Sequence, residues 1–101
     1  ATDDNKHIEK LIDVDDVMIN HMVLPPNEAV PTHYSDSHVH MIIVRGVLTL
    51  EFDEQEVQRY KRGTIVDVPY HTHMKIRNES DEITEFFVVK TPSPRVYGKD
   101  K

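Results

Sequence analysis

Seven histidines stand in this 101-residue chain against three glycines and no cysteine. His7 and His21 are isolated, whereas His33, His38 and His40 gather in one stretch and His71 and His73 in another. Neutral imidazole ligates transition metals and also exchanges protons near neutral pH. Two such groups joined by the fold would make a metal centre or an acid–base site. Taken singly, each histidine reads as an ordinary polar residue on a loop or strand face; the grouping raises the question. Other chemistry is thinner. Asp53, Glu54 and Glu56 have the composition of a solvated hairpin turn. The three glycines are too far apart for a phosphate-cradling loop, and no serine sits in a nucleophile-elbow context. The lack of cysteine removes disulfides, thiolate metal sites and thiol nucleophiles.

At 11.8 kDa the chain has room for one domain with an adequate core. A net charge of −6 argues against a nucleic-acid surface, which needs clustered Lys and Arg. No apolar run approaches the roughly 20 residues of a membrane-spanning helix. These features predict a soluble, cytoplasmic domain with neither nucleic acid nor membrane as partner.

The elements that must position the histidines are strands. Val17, Ile19 and Val23 alternate with Met18, Asn20 and Met22 before Pro25-Pro26-Asn27 breaks the run. Val39–Val44 is apolar apart from His40 and predicts a strand buried on both faces. Val47–Phe52, Val57–Tyr60, Thr64–Val68, Met74–Asn78 and Ile83–Lys90 follow, separated by turns at Arg45-Gly46, Asp53–Glu56, Lys61–Gly63 and Glu79–Glu82. Seven or eight short strands at this spacing predict an all-β sandwich or barrel. Their connections are too short for crossover helices, so pairing must be antiparallel. Residues 1–15 are ambiguous, with Ile8, Leu11 and Ile12 spaced as one helical turn; 16–91 reads as the barrel and 92–101 as a polar tail.

Within this frame the residues resemble the cupins, small double-stranded β-helix (jelly-roll) barrels. The first cupin motif, G-x5-H-x-H-x3/4-E-x6-G, runs from Asn27 through His33 to Gly46 with its spacing intact; Asn27 replaces the leading glycine. The second, G-x5-P-x-G-x2-H-x3-N, runs from Gly63 through Pro69 to Asn78. In metal-binding cupins three histidines and a glutamate from these motifs hold one ion. Carried over, those positions are His33, Ser35, Val39 and Met74, and only His33 is a suitable ligand.

Side-chain alternation sharpens the mismatch. The resemblance places the face of Val39, Met41 and Ile43 inside the barrel, with Met74 and Ile76, and leaves His38, His40 and His73 one residue out of phase. A bulge at Tyr34–Ser37 or Tyr70–Thr72 would turn them inward. Two site readings follow. One is a metal-free apolar pocket formed by His33, Ser35, Val39, Met41, Tyr70 and Met74, binding a small molecule, with no cofactor expected. The other is a rearranged site of His33, His38, His40 and His73 holding one divalent ion (Zn, Mn, Fe or Ni) in an oxygenase, isomerase or decarboxylase. A third possibility is a ligand-free oligomerisation module. All three include a homodimer formed through the apolar sheets, because the outer side of Met41–Val44 must pack on something.

Overall fold

The computed structural model describes residues 7–94 and 96. Nine strands run through the described residues: β1 (His7–Asp13), β2 (Met18–Leu24), β3 (Ala29–Tyr34), β4 (His38–Arg45), β5 (Val47–Phe52), β6 (Gln58–Lys61), β7 (Ile65–Val68), β8 (His73–Arg77) and β9 (Thr84–Thr91). They form a five-stranded sheet ordered β1-β2-β9-β4-β7 and a four-stranded sheet ordered β3-β8-β5-β6, and every pairing is antiparallel. This is the all-β, double-stranded β-helix architecture that the strand spacing and motifs predict.

Period-two alternation gives each sheet one core face. Val39, Met41 and Ile43 of β4 are fully buried, with Phe86 and Val88 of β9, Val66 and Val68 of β7, and Met22 and Leu24 of β2. Leu48, Leu50, Met74 and Ile76 of the second sheet complete one continuous core. Full burial of an aliphatic side chain contributes about 1.5–3 kcal/mol, so this layer supplies the main drive for closing the sheets on each other.

Two expectations are corrected. Residues 7–13 form a strand, not a helical turn. β1 pairs with β2 through Ile8↔Met22 and Lys10↔Asn20, then slips so that Ile12 meets Ile19. Leu11 is the extra residue of a bulge, and one inserted residue turns a period-two pattern into the 8, 11, 12 spacing of a helix. The strand Val39–Val44 is also not buried on both faces. Its outer side chains His40 and Ile42 are half-buried, and Val44 is exposed. Ile42 stands between Phe87 and Ile65 on the neighbouring strands, which gives its outer side partial cover without a second layer.

The turns explain the framework residues. Asn27 takes φ 64°, Gly46 76° and Gly63 86°, all left-handed. His71, at the position where the second motif has its internal glycine, also takes φ 64°. Asn78 locks the two motifs together: its main-chain carbonyl accepts from Asn27 N at 2.8 Å. Its Nδ2 donates to the carbonyls of Leu24 (2.9 Å) and Glu82 (2.7 Å), and its Oδ1 accepts from Ser80. Both amide hydrogens and the carbonyl oxygen are therefore used, which makes this buried polar group cheap to keep.

The two turn glycines are not equivalent. A Cβ on Gly46 would lie 2.4 Å from the Ile83 carbonyl oxygen, whereas one on Gly63 meets nothing within 4 Å. Gly63→Ala is expected to cost only the left-handed backbone penalty of about 1–2 kcal/mol. Gly46→Ala should cost clearly more, because backbone must move as well. Chemical denaturation of both variants checks the order, and equal losses would contradict it.

Candidate ligand cavity

The two sheets do not pack solidly along their whole length. Between β3 and β8 on one side and β1, β2, β4 and β9 on the other lies a cavity of about 180 Å³. Its walls are mostly apolar: Met22, Met41 and Met74, with Ile8, Val30, Ile76 and Val88. Three polar residues join them, Asn20, His33 and Lys90. Strand register explains the gathering. Met74 lies opposite His33 and Ile76 opposite Val30, while Val88 is flanked by Met41 and Asn20. Val30 and His33 are three residues apart and would face opposite sides of a regular strand. The register shift between them turns both toward the cavity.

The polar groups of the wall have defined roles. His33 Nδ1 lies 2.8 Å from the Pro31 carbonyl oxygen. A carbonyl only accepts, so this bond assigns the ring hydrogen of a neutral imidazole to Nδ1 and leaves Nε2 as an acceptor. Asn20 Oδ1 is buried without a hydrogen-bond partner, and its Nδ2 reaches only the Met18 sulfur at 4.0 Å. Lys90 Nζ is held by Asp36 at 3.0 Å. The wall therefore offers two unmatched acceptors and one neutralised cation.

Of the six residues expected to form the pocket, His33, Met41 and Met74 line this cavity. Val39 is buried in the core beside it. Ser35 is a clamp: its buried Oγ donates to the Pro69 carbonyl at 2.6 Å and accepts from Thr72 N at 2.7 Å. Tyr70 is partly exposed, its ring beside that of His71. Asn20, Met22, Val88 and Lys90 were not foreseen. The alternation on β2 was visible, but both of its faces carry apolar residues, so periodicity could not say which one turns inward. Ile8 enters only because residues 7–13 are a strand.

The four histidines of the alternative set are not brought together. The register shifts fall at Lys10/Ile12, Val30/His33 and Ile43/Arg45, none in the loops that would have turned His38, His40 or His73 inward. His38 and His40 face out of the five-stranded sheet beside Asp67. His73 packs against the exposed Tyr34 ring (centroids 4.9 Å apart) and donates its main-chain N–H to Asp53. The residues at the family's metal positions do not fit an ion either. Ser35 has spent its hydroxyl on the backbone, Val39 has no donor, and among the described residues the cavity wall carries one imidazole and no carboxylate.

Elsewhere, a wider groove of about 360 Å³ runs past Arg45, Gly46, Lys61, Arg62 and Glu82. It is more open to solvent than the barrel cavity, so contacts there are screened more, and the barrel cavity is the better candidate site. The clearest electrostatic perturbation also lies outside the cavity. The Glu79 carboxyl is held below its ordinary range by its hydrogen bond to Arg77, and Arg77 is raised in return. Both are surface groups, and this pair fastens the turn after β8.

Two antiparallel sheets wrapped around an apolar cavity, with left-handed turns at the motif ends, define a small double-stranded β-helix barrel. Residues 20–90 match the family model of the cupin domain, and the chain belongs to the cupin family. It is 50% identical over 90 residues to an uncharacterised protein of Methanocaldococcus jannaschii, a match covering 89% of this chain and 78% of that one. The crystal structure of an RmlC-like cupin family protein with a double-stranded β-helix fold from the same organism superposes with a TM-score of 0.89 at 48% identity, covering 92% of this chain and 85% of that one. A cupin superfamily protein from Desulfitobacterium hafniense shares the fold at 18% identity and TM-score 0.78, over 90% of this chain and 81% of its own. Among the described residues no helix is long and apolar enough to cross a membrane.

Ser35→Ala leaves the buried Thr72 N–H without its partner and the Pro69 carbonyl with the Thr72 hydroxyl alone. The expected loss is about 1–3 kcal/mol of stability. Urea denaturation reads it directly, and an unchanged midpoint would show that the clamp is not needed.

Proposed function

We propose that this cupin domain binds a small, largely apolar organic molecule in its barrel, through a hydrogen-bond donor on the ligand and without a metal ion in the barrel. The observation that carries this reading is Asn20 Oδ1, a buried acceptor left unpaired in a wall made mostly of methionine, isoleucine and valine. A buried polar group without a partner costs about 1–3 kcal/mol, which a ligand hydroxyl or amine returns on binding. His33 Nε2 supplies a second acceptor from the facing sheet.

Size limits the class. Drug-sized ligands occupy pockets of about 300–1,000 Å³. A dry cavity of about 150 Å³ in another protein accommodates benzene, so 180 Å³ suits a single ring or a short branched chain. The three methionines make the wall adaptable, because unbranched thioethers fill irregular space at little rotamer cost.

The test uses protein labelled with ¹³C at the methionine methyls and titrated with phenol and with toluene. Saturable shifts of Met22, Met41 and Met74 are expected, with phenol preferred by a factor of about 2–12, the equivalent of one net hydrogen bond. Asn20→Leu should abolish or reverse that preference, and Val30→Trp should remove binding of both probes. No methyl shift at millimolar phenol would overturn the reading. So would stoichiometric metal in untagged protein that disappears in His33→Ala.

A further inference from the structure

His38 and His40 have left the barrel, but they have not been scattered. They lie two residues apart on β4, so their side chains rise from the same outward face. Asp67 of β7 is the direct cross-strand partner of His40. Its Oδ1 is hydrogen-bonded to His38 Nε2 and lies 3.6 Å from His40 Nε2. The two rings are 4.7 Å apart between centroids, and one ligand atom from each of the three residues falls within 4.8 Å of the others. Two imidazoles therefore converge on one carboxylate oxygen.

We propose that His38, His40 and Asp67 form a divalent-metal site on the outer face of the five-stranded sheet, separate from the ligand cavity. Metal–nitrogen and metal–oxygen bonds of about 2.0–2.2 Å set tetrahedral donors roughly 3.3–3.6 Å apart, so an ion would part the His38–Asp67 hydrogen bond and draw the remaining donors together, both through small side-chain rotations. Two imidazoles and one carboxylate select Zn²⁺, Ni²⁺ or Cu²⁺ over Mg²⁺ and Ca²⁺, which prefer all-oxygen shells. Three protein ligands leave a position for water. The backbone beneath the site is fixed, since β4 is paired on both sides by β9 and β7. The carboxylate is also available: among the described residues Asp67 pairs with the two histidines and with no lysine or arginine. All three groups are half-exposed or exposed, so an ion reaches them without opening the barrel.

The experiment is calorimetric titration of ZnCl₂ into untagged, EDTA-stripped protein. One Zn²⁺ per chain is expected. His38→Ala and His40→Ala should each weaken binding at least about tenfold, in line with the loss of a ligand-sphere contact. His33→Ala and His73→Ala should leave it unchanged, which separates this site from any ion in the barrel. Circular dichroism of the variants confirms the fold, and in wild type the Zn²⁺-induced changes in imidazole NMR signals should fall on His38 and His40. Absence of saturable binding, binding unaltered in the double variant His38→Ala/His40→Ala, or binding lost in His33→Ala would overturn the proposal. The first two results leave the cavity reading untouched, whereas binding lost in His33→Ala would overturn both, so the two readings fail distinguishably.

Discussion

The pairing of β4 between β9 and β7 is the constraint on which the rest depends. A central strand hydrogen-bonded on both sides cannot slip by one residue without reversing every side chain it carries. With Met41 opposite Val88 and Val66, the side chains of Val39, Met41 and Ile43 are committed to the core. The same registration commits His38 and His40 to the outside. Barrel interior and outer histidine cluster are thus two consequences of one set of hydrogen bonds.

The interior so formed is almost a packed core. The gap that remains is edged by polar groups: an asparagine in β2, a lysine in β9, and His33, which a bulge in β3 aims at it. Packed cores are as dense as organic crystals, and voids that persist are few. A void bordered by an unpaired amide oxygen is more informative than one bordered by methyl groups alone, because the desolvated oxygen is a standing cost that only a donor relieves. The surrounding loops are held without help from the cavity. Asn78 and Ser35, both buried, satisfy their polar atoms on nearby backbone or on Ser80.

Much of the fold was legible because turns and strand alternation are local. The left-handed turns at Asn27, Gly46 and Gly63 follow from residue type, and the inward set Val39, Met41, Ile43, Met74 and Ile76 follows from period-two alternation once the motif frame fixes one position. The first strand was not legible, since the bulge at Leu11 copies helical spacing. The strand before His33 was hidden by Pro31 and by its own bulge. Neither face of β2 was distinguishable, because apolar residues occupy both.

The sequence by itself determined the element type, the antiparallel pairing, the motif frame and the failure of the family's ligand positions at Ser35, Val39 and Met74. Each depends on residue identity and short-range spacing. Only the tertiary structure decided which residues meet. Asn20, His33 and Lys90 come from three different strands in two sheets, and Asp67 stands beside His40 although 27 positions separate them. Such neighbours are set by strand order and register across the whole barrel, and these arise from the cooperative burial of a core to which no single segment holds the key.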